Sequence, residues 1–169
     1  MEKEQVIFNA AIITASDKGS RGERVDLSGP KIQEIIEPAG YKVVSYVVVP
    51  DEFDDLANEM KRLADEGIAD IIFTTGGTGF SMRDVTPEAT KSVCDREVPG
   101  IPEAMRAYSM TITKKAMLSR AAAGIRKQTL IVNMPGSPKA VEESLTYILD
   151  PLRHGLEILK GEASECARK

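Results

Sequence analysis

Histidine and cysteine are scarce in this chain of 169 residues, which has only His154, Cys94 and Cys166. The two cysteines lie far apart and form no C-x-x-C pair, so we expect free thiols rather than a disulfide or a zinc site. Zinc chemistry and serine–histidine or cysteine–histidine catalysis therefore have few of the residues that they need. Carboxylates, arginines, lysines and backbone amides remain, and with a hard metal ion they suffice for phosphoryl or nucleotidyl transfer.

Long apolar runs are also missing. No stretch is long enough to cross a bilayer, and the amino terminus lacks the charged-then-apolar pattern of a signal peptide, so we expect a cytoplasmic protein with no membrane partner. The formal net charge of −4 argues against nucleic acid as a partner, since such binding relies on cationic contacts to phosphates. The length suits one α/β domain over residues 1–169.

Apolar segments typical of strands alternate with amphipathic segments typical of helices along the chain. This alternation predicts βαβ units and a mostly parallel sheet, which is an α/β fold. Residues 118–127 match neither pattern. The strands are predicted at residues 6–15, 41–49, 70–74 and 129–132, the first two of them buried.

Prolines and apolar spacing set the predicted helix boundaries. Pro30 fits the first position of one helix. The helix opened by residues 50–52 is expected to bury Phe53 on its core face. Thr86 is expected to cap the next helix through its side chain. Pro151 is expected to separate the closing helix from a last short one, because proline lacks the donor that a helix interior needs.

The run Thr74-Thr75-Gly76-Gly77-Thr78-Gly79 is the most informative motif, because it directly follows an apolar strand. Glycines at such a place let the backbone approach a ligand and aim several N–H groups at one point, where a phosphate is the usual guest. Arg83 and Asp84 add a cation and a possible metal ligand. The loop is neither a GxxxxGK[ST] nor a GxGxxG motif, and a tight turn without a ligand is the simpler alternative. The dense polar cluster around it favours a binding loop.

Polar residues follow the predicted strands wherever a strand ends. In mostly parallel sheets, ligands bind outside the carboxyl ends of the strands, so these residues are expected to converge. Asp51 and Asp84 could then hold Mg²⁺ between phosphate oxygens, although Asp51 could equally be a helix cap. The loop over residues 17–26 is either a solvated loop or a lid. The converging segments are Ser16-Asp17, Pro50-Asp51, Gly76 to Asp84, and Asn133 to Pro138, which contains the turn Pro135-Gly136-Ser137.

Together these segments resemble the MogA/MoaB family, the molybdopterin adenylyltransferases of molybdenum cofactor synthesis and their relatives. The resemblance runs in order from about residue 12 to residue 139. It implies a three-layer α/β/α sandwich, usually a homotrimer, that uses Mg-ATP to convert molybdopterin into adenylyl-molybdopterin and pyrophosphate. It also implies a later molybdenum-insertion protein as a partner. The most specific motifs are GGTG, the downstream RDVTPEAT, the LSR segment at residues 118–120 and PGSPKA.

The resemblance also implies roles for individual residues. Asp51 and Asp84 match the family's aspartates that are important for activity, and both are our candidates for holding Mg²⁺. Ser119 matches a serine associated with pterin binding. The remaining candidates for nucleotide and molybdopterin binding are Ser16, Asp17, Thr75, Gly76, Gly77, Thr78, Gly79, Arg83, Pro135, Gly136 and Ser137.

Two other functions stay open from the sequence. A molybdopterin-binding protein or scaffold of the MoaB type could share the pocket without catalysing adenylylation. A nucleotidyltransferase could also act on another phosphorylated metabolite.

Overall fold

The computed structural model describes residues 6–162, and the strands in this part of the chain form one six-stranded sheet. The strands are β1 (Phe8–Ala15), β2 (Tyr41–Val49), β3 (Ile71–Thr75), β4 (Arg96–Glu97), β5 (Ala123–Arg126) and β6 (Thr129–Met134). Their order across the sheet is β2-β1-β3-β6-β5-β4. The first four in that order are parallel to one another, while β5 and β4 are antiparallel to their neighbours. The mostly parallel sheet is thus confirmed.

Helices cover both faces of the sheet, which gives the three-layer α/β/α arrangement expected. They are α1 (Asp17–Ser20), α2 (Ser28–Ile36), α3 (Phe53–Asp65), α4 (Thr86–Val93), α5 (Gly100–Met110) and α6 (Pro138–Leu159). Short 3₁₀ turns cover Glu37–Ala39 and Lys114–Leu118. Helices α2, α5 and α6 share a core with one face of the sheet, and α3 and α4 share a second core with the other.

Every residue of the central strands β1, β3 and β6 except Asn9 is buried, as the apolar runs in the sequence suggest. Ile12, Phe73 and Val132 lie side by side in the sheet and point into the first core. Their neighbours Ile72 and Ile131 point into the second. Strand β2 has the predicted limits, but the prediction that it is buried is wrong. Within the described residues it pairs only with β1, and its side chains alternate toward the surface.

Four helix predictions are wrong in detail. Pro30 is the third residue of its helix rather than the first, since α2 begins at Ser28. Phe53 is 39% exposed at the start of α3, so it lies outside the core. Thr86 is the first residue of α4 rather than its side-chain cap, and Val85 occupies the cap position. Helix α6 runs through Pro151 without a break. A proline within a helix costs about 3 kcal/mol, and the buried residues Ile148 and Leu152 on either side of it offset that loss.

The cysteines and the membrane prediction have simple outcomes. Cys94 is a free thiol, and burial raises its pKa to about 11. Cys166 lies outside the described residues. Among residues 6–162, no helix is both long and apolar enough to cross a membrane.

Candidate active site

Direct hydrogen bonds join the segments that follow the parallel strands, because the carboxyl ends of these strands meet at one edge of the sheet. The N–H of Ser16 donates to the carbonyl of Val49 at 2.9 Å. The hydroxyl of Thr75 donates to the carbonyl of Pro135 at 2.7 Å, and the hydroxyl of Ser28 donates to that of Gly136 at 2.5 Å. The structure thus brings together the four segments that the sequence singled out.

The glycine loop has a backbone that other residues do not readily adopt. Gly76 and Gly77 have φ angles of 88° and 70°, in the left-handed region that favours glycine. A Cβ on Gly76 would lie 2.5 Å from the carbonyl oxygen of Ala15, and one on Gly77 would collide with the hydroxyl of Thr86. The Cα of Gly76 would lie 3.4 Å from a Cβ on Gly136. The loop is therefore packed closely against β1, α4 and the turn after β6.

A cavity of about 280 Å³ opens between the glycine loop and the loop that follows β1. Its size is near the lower end of the range for small-molecule sites, so it suits part of a nucleotide-sized ligand. The described residues that line it include Ser16, Gly19, Arg24, Asp26, Ser28, Thr75, Gly76 and Gly136.

The carboxylates of Asp17 and Asp51 each accept a hydrogen bond from the backbone N–H of the other residue. The N–H of Asp17 donates to Asp51 Oδ2 at 2.9 Å, and the N–H of Asp51 donates to Asp17 Oδ1 at 3.0 Å. Partial burial raises the pKa of Asp51, and the nearby carboxylates of Asp17 and Asp84 raise it further. The hydrogen bond from Arg83 lowers the pKa of Asp17. Two neighbouring carboxylates therefore differ in how readily they ionise.

Arg83 is paired with acidic side chains in this structure. Its Nε and Nη2 donate to the two oxygens of Asp17 at 3.0 and 2.9 Å, and Nη2 lies 2.7 Å from Glu52 Oε1. These pairs hold the pKa of Arg83 above its usual range. Asp17 and Arg83 were each predicted to contact a ligand, and here they contact each other.

The carboxylates of Asp51 and Asp84 both lie close to the glycine loop. Asp51 Oδ1 lies 3.4 Å from the position of a Cβ on Gly77, and Asp84 Oδ2 lies 2.9 Å from that of a Cβ on Gly79. Asp84 Oδ2 also accepts a hydrogen bond from the N–H of Ser81 at 3.0 Å. Residues with side chains would fill the space that these carboxylates border.

A metal ion at this loop would have only part of its ligands from the protein. Residues 6–162 contain no group of three or more histidine, cysteine, aspartate or glutamate side chains that could hold one. Mg²⁺ commonly takes one or two carboxylates and completes its coordination with substrate phosphates and water. Asp51 and Asp84, whose carboxylates both lie close to the glycine loop, fit that donor set.

The predicted residue Ser119 lies apart from the first cavity. It lines a second cavity of about 250 Å³ with Arg106 and Pro135, and a third of about 400 Å³ with Arg106 and Arg120. Pro135 connects the two regions, because its carbonyl accepts the bond from Thr75 at the glycine loop.

The other two predicted serines cap helices. Ser16 Oγ accepts from the N–H of Gly19 at 2.9 Å at the start of α1, and Ser137 Oγ accepts from the N–H of Ala140 at 3.4 Å at the start of α6. Each cap leaves the hydroxyl proton available to a ligand.

The sequence did not single out Asp26, which anchors the loop after β1. Its carboxylate accepts hydrogen bonds from Thr14 Oγ1 at 2.7 Å, from the N–H of Ser28 at 3.0 Å and from the hydroxyl of Tyr46. Burial and this bond raise the pKa of Tyr46 to about 12. An aspartate two residues before a helix start is a local signal for such an anchor. Nothing in the local sequence indicated the hydrogen bond that Tyr46 on β2 donates to Asp26.

Thr86 and Arg120 were also missed as site residues. The hydroxyl of Thr86 is fully buried beside Gly77, and it has no hydrogen-bond partner among the residues that the structure describes. Arg120 donates to the carbonyls of Gly79 and Asp84 from the far side of the glycine loop. No spacing in the sequence reveals either arrangement.

Comparisons with known proteins identify the family of this chain. Residues 11–154 match the family described as a probable molybdopterin binding domain. A molybdopterin adenylyltransferase of Helicobacter pylori is 38% identical over 164 residues, which are 96% of this chain and 93% of that protein. The crystal structure of the molybdopterin biosynthesis enzyme MoaB from Thermus thermophilus has a TM-score of 0.88 and 44% identity, and the match covers 94% of this chain and all of that one. That of the tungsten cofactor synthesizing protein MoaB from Pyrococcus furiosus has a TM-score of 0.83 and 36% identity over 91% of this chain and 98% of that one.

Proposed function

This chain belongs to the family of probable molybdopterin binding domains, and we propose that it is a nucleotidyltransferase of molybdenum cofactor biosynthesis. Its reaction transfers the adenylyl group of ATP to molybdopterin and releases pyrophosphate. The meeting of Asp51, Asp84 and the glycine loop at the carboxyl edge of the sheet is the observation that carries this proposal. The relatives named molybdopterin adenylyltransferase support it, because their match covers nearly the whole chain.

The transfer needs charge neutralisation and alignment more than it needs a base. The terminal phosphate of molybdopterin is already ionised, so one of its oxygens attacks the α-phosphorus of ATP while the bond to the pyrophosphate oxygen breaks. Backbone N–H groups of residues 76–79 neutralise part of the phosphate charge. The scarcity of histidine in the chain agrees with a reaction that does not depend on a general base.

Asp51 and Asp84 are the residues that would hold Mg²⁺. A bound magnesium ion supplies positive charge at phosphate oxygens that gain negative charge during transfer. Burial raises the pKa of Asp51, and the neighbouring carboxylates of Asp17 and Asp84 raise it further, so the ionised form of Asp51 favours a nearby cation. This is a further reason to place the metal at the glycine loop.

Arg83 would contact a phosphate only after it leaves Asp17 and Glu52. A triphosphate offers more negative charge than these two carboxylates, and the fork of an arginine binds two phosphate oxygens as well as it binds a carboxylate. We therefore assign Arg83 and Asp17 to a contact that rearranges when the nucleotide binds.

Ser119 and the cavities beside it are proposed for the pterin end of the acceptor. We propose that Pro135, Gly136 and Ser137 contact this end as well, and the position of Pro135 at the border of both regions supports an acceptor site next to the glycine loop. We also propose a single domain over residues 1–169, a homotrimer, a cytoplasmic location and transfer of the product to a molybdenum-insertion protein.

Pyrophosphate release tests this function. Purified protein is incubated with Mg-ATP and molybdopterin, and pyrophosphate and adenylyl-molybdopterin are measured, with each component omitted in turn. We expect product only in the complete mixture. Binding of molybdopterin without pyrophosphate release would instead identify a binding protein of the MoaB type, an outcome that the 44% identity to the Thermus protein makes worth testing. Release with other phosphorylated acceptors but not with molybdopterin would identify a different nucleotidyltransferase.

A further inference from the structure

Arg120 binds the outer side of the glycine loop at several points. Its Nε donates to the carbonyl of Gly79 at 2.7 Å, and its Nη2 donates to the carbonyl of Asp84 at 2.6 Å. Its own N–H donates to the carbonyl of Thr78 at 2.9 Å, and its Nη1 forms an ion pair with Glu88 on α4. One residue thus holds both ends of the segment from residue 78 to residue 84.

These bonds also fix which way the loop's peptide groups face. In a trans peptide the carbonyl and the following N–H point in opposite directions. Because the carbonyls of Thr78 and Gly79 point to Arg120, the N–H groups of Gly79 and Phe80 point away from it. An arginine fork is rigid and always charged, so it holds neutral carbonyls more firmly than a lysine does.

The segment that carries Arg120 is itself held in place from the other side. Arg106 on α5 donates from Nη1 to the carbonyl of Ser119 at 3.3 Å and to that of Ala121 at 3.0 Å. Arg106 therefore binds the segment of residues 119–121, and Arg120, which is part of this segment, binds the glycine loop. Ser119 belongs to the acceptor side of the proposed site, and Gly79 and Asp84 belong to the phosphate side.

We propose that Arg120 is a positioning residue that fixes the acceptor segment at Ser119 relative to the glycine loop and Asp84. This inference rests on the proposed function, because it takes Ser119 as part of the acceptor site, and Gly79 and Asp84 as part of the phosphate site, of one transfer reaction. Group transfer between two bound substrates depends on their alignment, and a displacement of about 1 Å lowers the rate by up to ~10²-fold. Arg120 contacts protein carbonyls in place of substrate, so it acts through the two segments that it joins.

Arg120→Lys tests this role, because lysine keeps the charge but cannot bind both carbonyls and Glu88 with one fork. The matched control is Arg126→Lys. Arg126 also makes a forked pair, with Asp65, and also donates to a carbonyl, that of Val93 at 2.9 Å. It lies at the opposite edge of the sheet, where β5 pairs with the start of β6. Melting temperature, amide hydrogen exchange of residues 76–85, and kcat and KM for both substrates are measured for each variant.

We expect Arg120→Lys to lower kcat by about 10- to 100-fold with a smaller change in the KM for Mg-ATP. Amide exchange in the loop should become at least about tenfold faster, which corresponds to about 1.4 kcal/mol of lost local stability. Arg126→Lys should lower the melting temperature about as much as Arg120→Lys does. Its kcat and the amide exchange of residues 76–85 should be unchanged.

Two results would overturn the proposal. One is unchanged exchange at residues 76–85 in Arg120→Lys, since the loop would then not depend on the fork. The other is a loss of activity in Arg120→Lys that is explained entirely by a smaller fraction of folded protein. If the wild-type protein releases no pyrophosphate, the proposed function fails, while the exchange measurement still decides whether Arg120 holds the loop.

Discussion

The two edges of this sheet differ in how their aspartates are paired, although each contains an ion pair between an arginine and an aspartate. At the amino edge, Asp65 pairs with Arg126 at 2.8 Å and with Lys127 at 3.1 Å, and Asp70 pairs with Lys160 at 2.7 Å. At the carboxyl edge, Asp51 is partly buried beside other carboxylates, which raises its pKa. The acidic side chains named at the amino edge are thus neutralised by basic side chains of the same chain, which stabilises the fold.

The carboxyl edge contains a buried polar group that has no partner in the described part of the chain. The buried hydroxyl of Thr86 has no partner among residues 6–162, and the backbone of Gly77 lies so close to it that a side chain on Gly77 would collide with it. Such arrangements lower stability unless a ligand completes them, and they concentrate at functional sites. The difference between the edges therefore separates residues that serve folding from residues that serve binding.

The largest effect is expected from Asp84→Asn and Asp51→Asn. Each change removes a negative charge while keeping the shape of the side chain, so we expect the rate of adenylyl transfer to fall by at least about 10²-fold with the fold intact. The pyrophosphate-release assay measures this. Turnover equal to that of the wild-type protein would contradict the role of either carboxylate.

The melting temperature of Asp51→Asn tests whether the fold raises or lowers the pKa of Asp51. A raised pKa means that the folded state disfavours the ionised carboxylate, so the penalty is absent below the ordinary value of 3.8 and appears as the pH rises through the raised value. At neutral pH the variant should thus melt at the same temperature as the wild-type protein or higher. A clearly lower melting temperature would show that the ionised group stabilises the fold.

Gly77→Ala and Gly67→Ala compare a left-handed glycine at the site with one away from it. Their φ angles are 70° and 65°, but a Cβ on Gly67 would meet no atom within 4 Å, whereas one on Gly77 would collide with Thr86. We expect Gly67→Ala to lower the free energy of unfolding by about 1 kcal/mol. Gly77→Ala should lower it by about 3 kcal/mol, because the collision adds to the backbone strain.

Urea denaturation measures both glycine variants. The difference between them isolates the close approach of the loop to α4, since the backbone strain is shared. Equal effects at the two positions would mean that the loop can move away from Thr86 at little cost.

Thr86→Val and Thr90→Val compare two buried hydroxyls on the same helix. Thr90 Oγ1 accepts a hydrogen bond from Asn133 Nδ2 at 2.8 Å, while Thr86 Oγ1 has no partner in the described part of the chain. Valine removes the hydroxyl and keeps the shape. We expect Thr90→Val to destabilise the protein by about 1–3 kcal/mol and Thr86→Val to stabilise it by about 1 kcal/mol. Opposite signs in thermal denaturation would confirm the difference, and a destabilising Thr86→Val would show that the hydroxyl is bonded.

The smallest effect concerns the amino edge and depends on pH. The hydrogen bond from Arg126 lowers the pKa of Asp65 from 3.8 to about 2, so its stabilising effect is present above the ordinary value and is lost as the pH falls through the lowered one. Asp65→Asn should lower the melting temperature at neutral pH and flatten its dependence on pH between 4 and 2. Activity should be unchanged, since Asp65 lies at the opposite edge of the sheet from the glycine loop.

Strong apolar runs made the centre of the fold predictable. The limits of β2 agree with its valine-rich run, and β1, β3 and β6 follow theirs within two residues. Strands β4 and β5 were missed because they are short and β5 begins in a run of alanines, which has no period-2 pattern. Their antiparallel pairing at the end of the sheet depends on contacts distant in sequence.

Convergence at the carboxyl edge was predictable because the topology of a parallel sheet requires it. The choice of partners within the edge was not. The sequence contains no sign that Arg83 would pair with Asp17, that Tyr46 would bond to Asp26, or that Arg120 would hold carbonyls of the glycine loop. Such contacts depend on side-chain directions that emerge only when the layers have packed.

The order of the strands affects how the chain can fold while it is being synthesised. β1 leaves the exit tunnel first, but its two neighbours in the sheet are encoded later, at Tyr41–Val49 and Ile71–Thr75. Until β3 emerges, β1 lacks one of its two native neighbours, although seven of its eight residues end up buried. At ordinary translation speeds of about 5–20 residues per second, that interval lasts several seconds, and it is the period in which a nascent-chain chaperone has most reason to bind.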